Sequence, residues 1–253
     1  MTEPVVSALA AQQAELSGVL AGLADTDWQR PSRCDGWTVA DVVLHLAQTN
    51  EMAIASLDGR YPEYPANVGR RLEAVAADVD DGAAHMVAAE RGRPLDELKA
   101  RWRSSVDDFL SRLDGADFHR RVQWVAGELS TRTLVTTRLS ETWIHAGDVT
   151  DAIGVELEPS DRLRHIARLA WRTLPYAFAR AGRELSAPVA FELGGPTGER
   201  WDFIPDEPPA TTVRGPGVEL CLVAARRMDP AETSLEGQGP DAAAVLELVR
   251  TYA

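Results

Sequence analysis

Up to about residue 183 the sequence sets apolar residues at helical spacing, and beyond it short alternating runs between glycines and prolines take over. That change of period constrains the fold more than any other feature. It predicts an α+β chain: a helical bundle over residues 1–183, then a small α/β domain over 184–253. In the first part, Val5, Leu9, Leu16, Leu20 and Leu23 give a helix from Pro4 to Leu23. Thr38-Val39-Ala40-Asp41 reads as a near capping box opening a second helix, with Trp37 placed as a staple against Val42. Val39, Val42, Val43, Leu46, Ala53 and Leu57 form its buried stripe, and His45 falls at the stripe's edge.

A loop is expected over Tyr61–Pro65 and a helix from about Val68 to Ala89, weakened by Gly82. Pro94 suits the first turn of another helix, whose face is Leu95, Leu98, Trp102, Val106, Phe109 and Leu113. Ser130 or Thr131 caps the next, which ends near Gly154, and one further helix is expected from about Asp161 to Arg180. In the second part, Pro188–Leu193 and Glu199–Ile204 read as a hairpin, with a third strand at Thr211–Val213 and another at Thr233–Glu236. Helices are expected over Val218–Met228 and Asp241–Tyr252.

The chain has 253 residues and a net charge of −13, with no basic cluster longer than a pair of arginines. That balance argues against nucleic-acid and anionic-membrane partners. No apolar run approaches the roughly 18 residues of a membrane span. The N-terminal Met1-Thr2-Glu3-Pro4 lacks the basic and apolar regions of a secretory signal. Two cysteines, Cys34 and Cys221, fit a reducing compartment better than a disulfide framework. A cytoplasmic protein, monomeric or homodimeric, is the expectation.

Glu141 and His145 stand four residues apart, which on a helix stacks them on one face. A carboxylate and an imidazole so placed can hold one metal ion, with His45 as a third ligand from another helix. Three protein ligands leave a position open, as catalytic zinc requires. The same helix carries a second apolar stripe of Val135, Leu139, Trp143 and Ala146, at about 120° from the Glu141–His145–Asp148 stripe. A helix packed between two neighbours would bury both stripes. A surface helix would instead show Arg138, Glu141, His145 and Asp148 to water as charge pairs. Spacing alone leaves both open. Cys34 is expected as a small packed residue, with a reactive thiol near the metal as the alternative, Cys221 as core, and His85, His119 and His165 as structural or exposed. The tryptophans are read as core, Trp37 and Trp143 also as walls of a pocket.

The segment Cys34-Asp35-Gly36-Trp37-Thr38-Val39-Ala40-Asp41-Val42-Val43-Leu44-His45-Leu46 resembles a signature of the mycothiol-dependent maleylpyruvate isomerase family. That family belongs to the DinB-like four-helix-bundle metalloproteins. Arg138-Leu139-Ser140-Glu141-Thr142-Trp143-Ile144-His145-Ala146-Gly147-Asp148-Val149 resembles its second signature. Val218–Arg227 is more loosely similar to a helix of the small sterol-carrier-protein-like domain of many members. The resemblance implies a divalent metal, usually zinc, on His45, Glu141 and His145. It also implies mycothiol as the low-molecular-weight thiol co-substrate. Asp148 is read as accepting the His145 ring proton, or as a surface acid paired with arginine. Arg226 or Arg227 is read as binding a substrate carboxylate, the role an arginine plays in the isomerases, or as a solvated helix end.

The leading expectation is a metal- and thiol-dependent enzyme acting on a small electrophile, either an S-transferase or a cis–trans isomerase. A non-catalytic metal- or ligand-binding protein of the same fold is the alternative. A metal-free bundle in which Glu141 and His145 pair with arginines is a third.

Overall fold

The computed structural model describes residues 3–61, 79–125 and 127–251. It is helical first and mixed afterwards, as the change of period predicts. Two compact units divide the chain, Met1–Leu157 and Glu158–Ala253. The division falls earlier than the change of period near residue 183, because compactness follows packing and not the onset of strands.

In the first unit, α1 spans Pro4–Ala21, α2 Val39–Leu57, α3 Val79–Glu90, α4 Leu95–Arg112 and α5 Thr131–Ile153. The expected start of α3 near Val68 lies outside the described residues. The capping box of α2 is complete. Thr38 Oγ1 accepts from the Asp41 N–H at 3.3 Å, and an Asp41 carboxylate oxygen accepts from the Thr38 N–H at 3.0 Å. Pro94 sits at the N-cap of α4 and not within its first turn. Ser130 caps α5 by accepting the Thr133 N–H at 3.2 Å, and Gly154 closes it with φ of 70°, a left-handed value that glycine adopts freely.

Helix α2 packs on α4 and α5, and α1 packs on α5. Both α2 and α5 are therefore enclosed from two sides. Val42, Val43, Leu44, His45, Leu46 and Ala47 are buried in succession, which no single amphipathic stripe would produce. In α5 the Val135–Leu139–Ala146 stripe and the Glu141–His145–Asp148 stripe are both buried. Gln13 of α1 donates to Thr142 Oγ1 at 2.9 Å, while His45 of α2 meets Glu141. The surface-helix alternative is thereby removed. Trp28, in a short 3₁₀ turn, fills the core with Leu16, Val43, Leu98 and Trp102. Before α5 a hairpin that the sequence reading missed pairs β1 (Arg121–Trp124) with β2 (Gly127–Ser130).

In the second unit the expected single helix over 161–180 is two: α6 (Leu163–Arg172) and α7 (Leu174–Arg180). Pro175 explains the break, since it lacks an N–H and its ring opposes the carbonyl four residues back. Strands β3 (Val189–Gly194), β4 (Arg200–Phe203), β5 (Thr211–Pro216) and β6 (Glu236–Gln238) form a sheet in the order β4-β3-β5-β6. The β3–β4 hairpin is antiparallel with Phe191 opposite Phe203, β3 and β5 are parallel, and β5–β6 is antiparallel. Helix α8 (Gly217–Ala224) follows β5, and α9 (Ala242–Leu248) closes the described chain. Both are shorter than expected. Tyr252 lies outside the described residues.

Candidate metal centre

Glu141 and His145 stand one turn apart on α5, and α2 brings His45 to them from across the bundle. Glu141 Oε2 lies 3.4 Å from His45 Nε2 and 3.7 Å from His145 Nε2. One ligand atom from each residue lies within 4.8 Å of the others. A tetrahedral zinc ion with nitrogen and oxygen ligands at about 2.0–2.2 Å sets its ligand atoms roughly 3.3–3.5 Å apart. The two carboxylate–imidazole separations are already near that value. The His45 and His145 rings meet edge to face, centroids 5.0 Å apart, and the Trp37 ring stands 5.2 Å from the His45 ring. All three candidates are 6–7% exposed, so the cluster is buried but not sealed.

Around this triad sits a further set of groups. His145 Nδ1 pairs with Asp148 Oδ2 at 2.9 Å, and Asp148 is itself 1% exposed. The contact places the proton on Nδ1 and leaves Nε2 free to act as a ligand. Of the two readings of Asp148, the geometry shows the first contact and excludes a surface acid. The Cys34 thiol donates to Asp148 Oδ2 at 3.3 Å and lies 3.9 Å from His145 Nδ1. Arg138, a turn before Glu141, holds Nη2 at 3.6 Å from Glu141 Oε2.

Burial alone would raise the Glu141 carboxyl, but bonds from His145 and His45 and the charge of Arg138 outweigh it and hold it far below the usual carboxylate range. Burial lowers the His45 imidazole against the pull of Glu141. For His145, burial is outweighed by its bonds to Asp148, Cys34 and Glu141, which raise it well above its ordinary value. Burial also pushes the Arg138 guanidinium down, against the attraction of Glu141.

The donor set fits a divalent ion. Two imidazole Nε2 atoms and a carboxylate oxygen converge from two helices, with an acid behind one imidazole. His45 Nδ1 is buried and has no hydrogen-bond partner among the described residues, so on that ring they supply no outer support. Asp148→Asn should therefore weaken zinc binding about 10–100-fold, the usual cost of an outer partner. A chelator competition on the folded variant checks it, and an unchanged affinity would show that Asp148 does not support the ligand.

Arg226 and Arg227 follow α8 in the second unit. Arg226 Nη1 donates to the Glu247 carbonyl at 2.9 Å and Arg227 Nη1 to the Ala225 carbonyl at 3.1 Å. Arg226 has φ of 58°, left-handed for a non-glycine residue. Cys221 is fully buried, and burial pushes its thiol up, as a core residue requires. His85 and His119 are exposed and His165 half-buried, and Trp143 is half-buried where its stripe predicts core.

Two further groups stand beside the site: Cys34, for which a place near the metal is one of the two expectations, and Arg138, which local pattern gives as a surface charge. Cys34 is carried to Asp148 by a turn in which the Trp37 N–H donates to the Cys34 carbonyl at 3.0 Å and the Ser32 N–H to the Trp37 carbonyl at 2.8 Å. Its place in the first signature was the available signal. Arg138 opens the second signature, but its charge alone argues for a surface group.

Residues 9–150 match the family described as mycothiol maleylpyruvate isomerase N-terminal domain. Two curated relatives, both uncharacterized proteins of Mycobacterium tuberculosis from different strains, are 30% identical over 99% of this chain and 95% of their own length. A crystal structure of the mycothiol-dependent maleylpyruvate isomerase superposes with a TM-score of 0.61 at 16% identity. It covers 93% of this chain and 95% of that one. A histidine-to-alanine mutant of the same enzyme gives 0.60 at 17% identity, with the same coverage. At that identity the likeness is one of fold.

Proposed function

The chain belongs to the mycothiol maleylpyruvate isomerase family, and on that premise we propose that it is a metal- and thiol-dependent enzyme acting on a small electrophile. The observation that carries the reading is the convergence of His45 Nε2, His145 Nε2 and Glu141 Oε2 in a buried cluster whose members each keep a little exposure. These residues would hold one divalent ion, zinc being the best match to a His₂Glu donor set. Such an ion supplies the charge that converts a thiol, with an ordinary pKa of about 8.5, into a thiolate at neutral pH.

The chain's own residues have separate tasks. Asp148 holds the His145 proton at Nδ1 and fixes the ring. Glu141 stays ionised because two imidazoles and a guanidinium face it. Trp37, beside His45, walls the pocket. A thiolate of the co-substrate, mycothiol by family, then adds through sulfur to the polarised double bond of the electrophile. Rotation about the resulting single bond and expulsion of the same thiolate give cis–trans isomerisation. Protonation at carbon with the C–S bond kept gives S-transfer. For Arg226 and Arg227 we keep the role of binding a substrate carboxylate. Support comes from the family and from the left-handed backbone of Arg226, since such outliers gather at functional sites.

The test is thiol consumption with mycothiol against a panel of conjugated electrophiles, maleylpyruvate included. Zinc- and thiol-dependent turnover of at least one is expected. Its absence across the panel, with zinc bound, would favour a binding protein of the same fold.

A further inference from the structure

Arg138 is 2% exposed, and two of its nitrogens, Nε and Nη1, have no hydrogen-bond partner among the described residues. The third, Nη2, reaches Glu141 Oε2 only at 3.6 Å. Its guanidinium lies 5.4 Å from the centroid of the Trp124 ring. A guanidinium has five N–H donors and stays charged at any physiological pH. Packing on an indole satisfies its face but not its edges. Burying such donors unpaired is costly. Among the described residues Glu141 is the carboxylate within ion-pair range of Arg138.

That one acid is also a candidate ligand. A dication, one carboxylate and two neutral imidazoles sum to one positive charge. Arg138 adds a second, while Asp148 is engaged with His145 on the far side of that ring. Once Glu141 serves a metal, its charge is shared and the guanidinium lacks a counter-ion of its own. On α5, Arg138 is one turn before Glu141 and two turns before His145, so it lies on the stripe that carries both of the helix's candidate ligands.

We propose that Arg138 is an anion-binding residue of the metal-centre pocket, taking a carboxylate or comparable oxyanion of the small molecule that acts there. The inference rests on the reading of the triad as a metal centre. It makes Arg138 a specificity-determining residue: a ligand with an acidic group at that place is favoured over its neutral counterpart. The planar fork suits a carboxylate, which two parallel N–H donors can grip together.

Acetate and malonate are the probes, with acetamide as the neutral control. They are titrated calorimetrically into the zinc-loaded full chain of wild type, R138M, R138K and R226M, with zinc content measured on each. Expected are binding of at least one acid but not of acetamide by wild type, and affinity roughly ten- to a hundredfold lower in R138M. A smaller loss is expected in R138K, with zinc retained throughout. Equal acid binding in wild type and R138M would overturn the proposal, as it would show coordination to zinc alone. So would loss in R226M but not in R138M, or no acid binding by wild type. If R138M fails to fold, R138K decides, because it keeps the charge and loses the fork; an unchanged affinity there overturns the proposal. Failure of the metal reading shows separately, as wild type without zinc. The same titration on zinc-free protein then tests whether Arg138 alone holds the anion.

Discussion

Glu141→Gln and His45→Ala are each expected to lose zinc while the bundle stays folded. Each removes one of three donors, from α5 and from α2 respectively, and the loss should well exceed the ~10–100-fold that removal of an outer partner costs. Gln keeps the shape of Glu141 and still accepts a hydrogen bond, but its neutral carbonyl is a poor match for a dication. It also leaves Arg138 without its acid, so a modest loss of stability should accompany the loss of metal. His45→Ala opens a small space at the α2–α5 contact and removes an imidazole whose Nδ1 has no partner among the described residues. Chelator competition measures the affinity, and far-ultraviolet circular dichroism the fold. Unchanged zinc affinity in both variants would sink the three-ligand account.

Trp28→Ala should cost the first unit about 3–5 kcal/mol, the usual range for emptying a buried tryptophan site. The side chain is 1% exposed and packs in the core that α2 and α4 share, with Lys99 Nζ 5.1 Å from its ring centroid. Because zinc would bind the folded unit, adding it to about 1,000 times its dissociation constant should return roughly 4 kcal/mol. Chemical denaturation of the variant with and without zinc measures both quantities. A loss below about 1 kcal/mol would mean that this core relaxes around the gap, and no recovery on adding zinc would mean that the bundle does not bind it.

The bundle was legible because its helices carry local signals that agree with their packing. Thr38 with Asp41, Ser130 and Gly154 mark ends that the backbone uses. What local pattern lacks is the neighbour. The Glu141 stripe lies off the apolar stripe, and only the enclosure of α5 by α1 and α2 decides that it is buried. The same ignorance of neighbours hid Arg138, whose charge argued for water. Cys34 reaches Asp148 through a turn between α1 and α2, a contact across more than a hundred residues that spacing cannot reveal. The β1–β2 hairpin was missed because its strands are four residues each, with only Val122 and Trp124 alternating inward. Pro175, visible in the sequence, should have divided the helix that became α6 and α7.

The central claim is that His45, Glu141 and His145 form an open metal centre. Inductively coupled plasma mass spectrometry of wild-type protein, purified without added metal or chelator, tests it most directly. The account predicts close to one divalent ion per chain, zinc foremost. A wild-type chain that holds none, even after incubation with zinc, would contradict it and leave a bundle whose buried acid and imidazoles serve only each other.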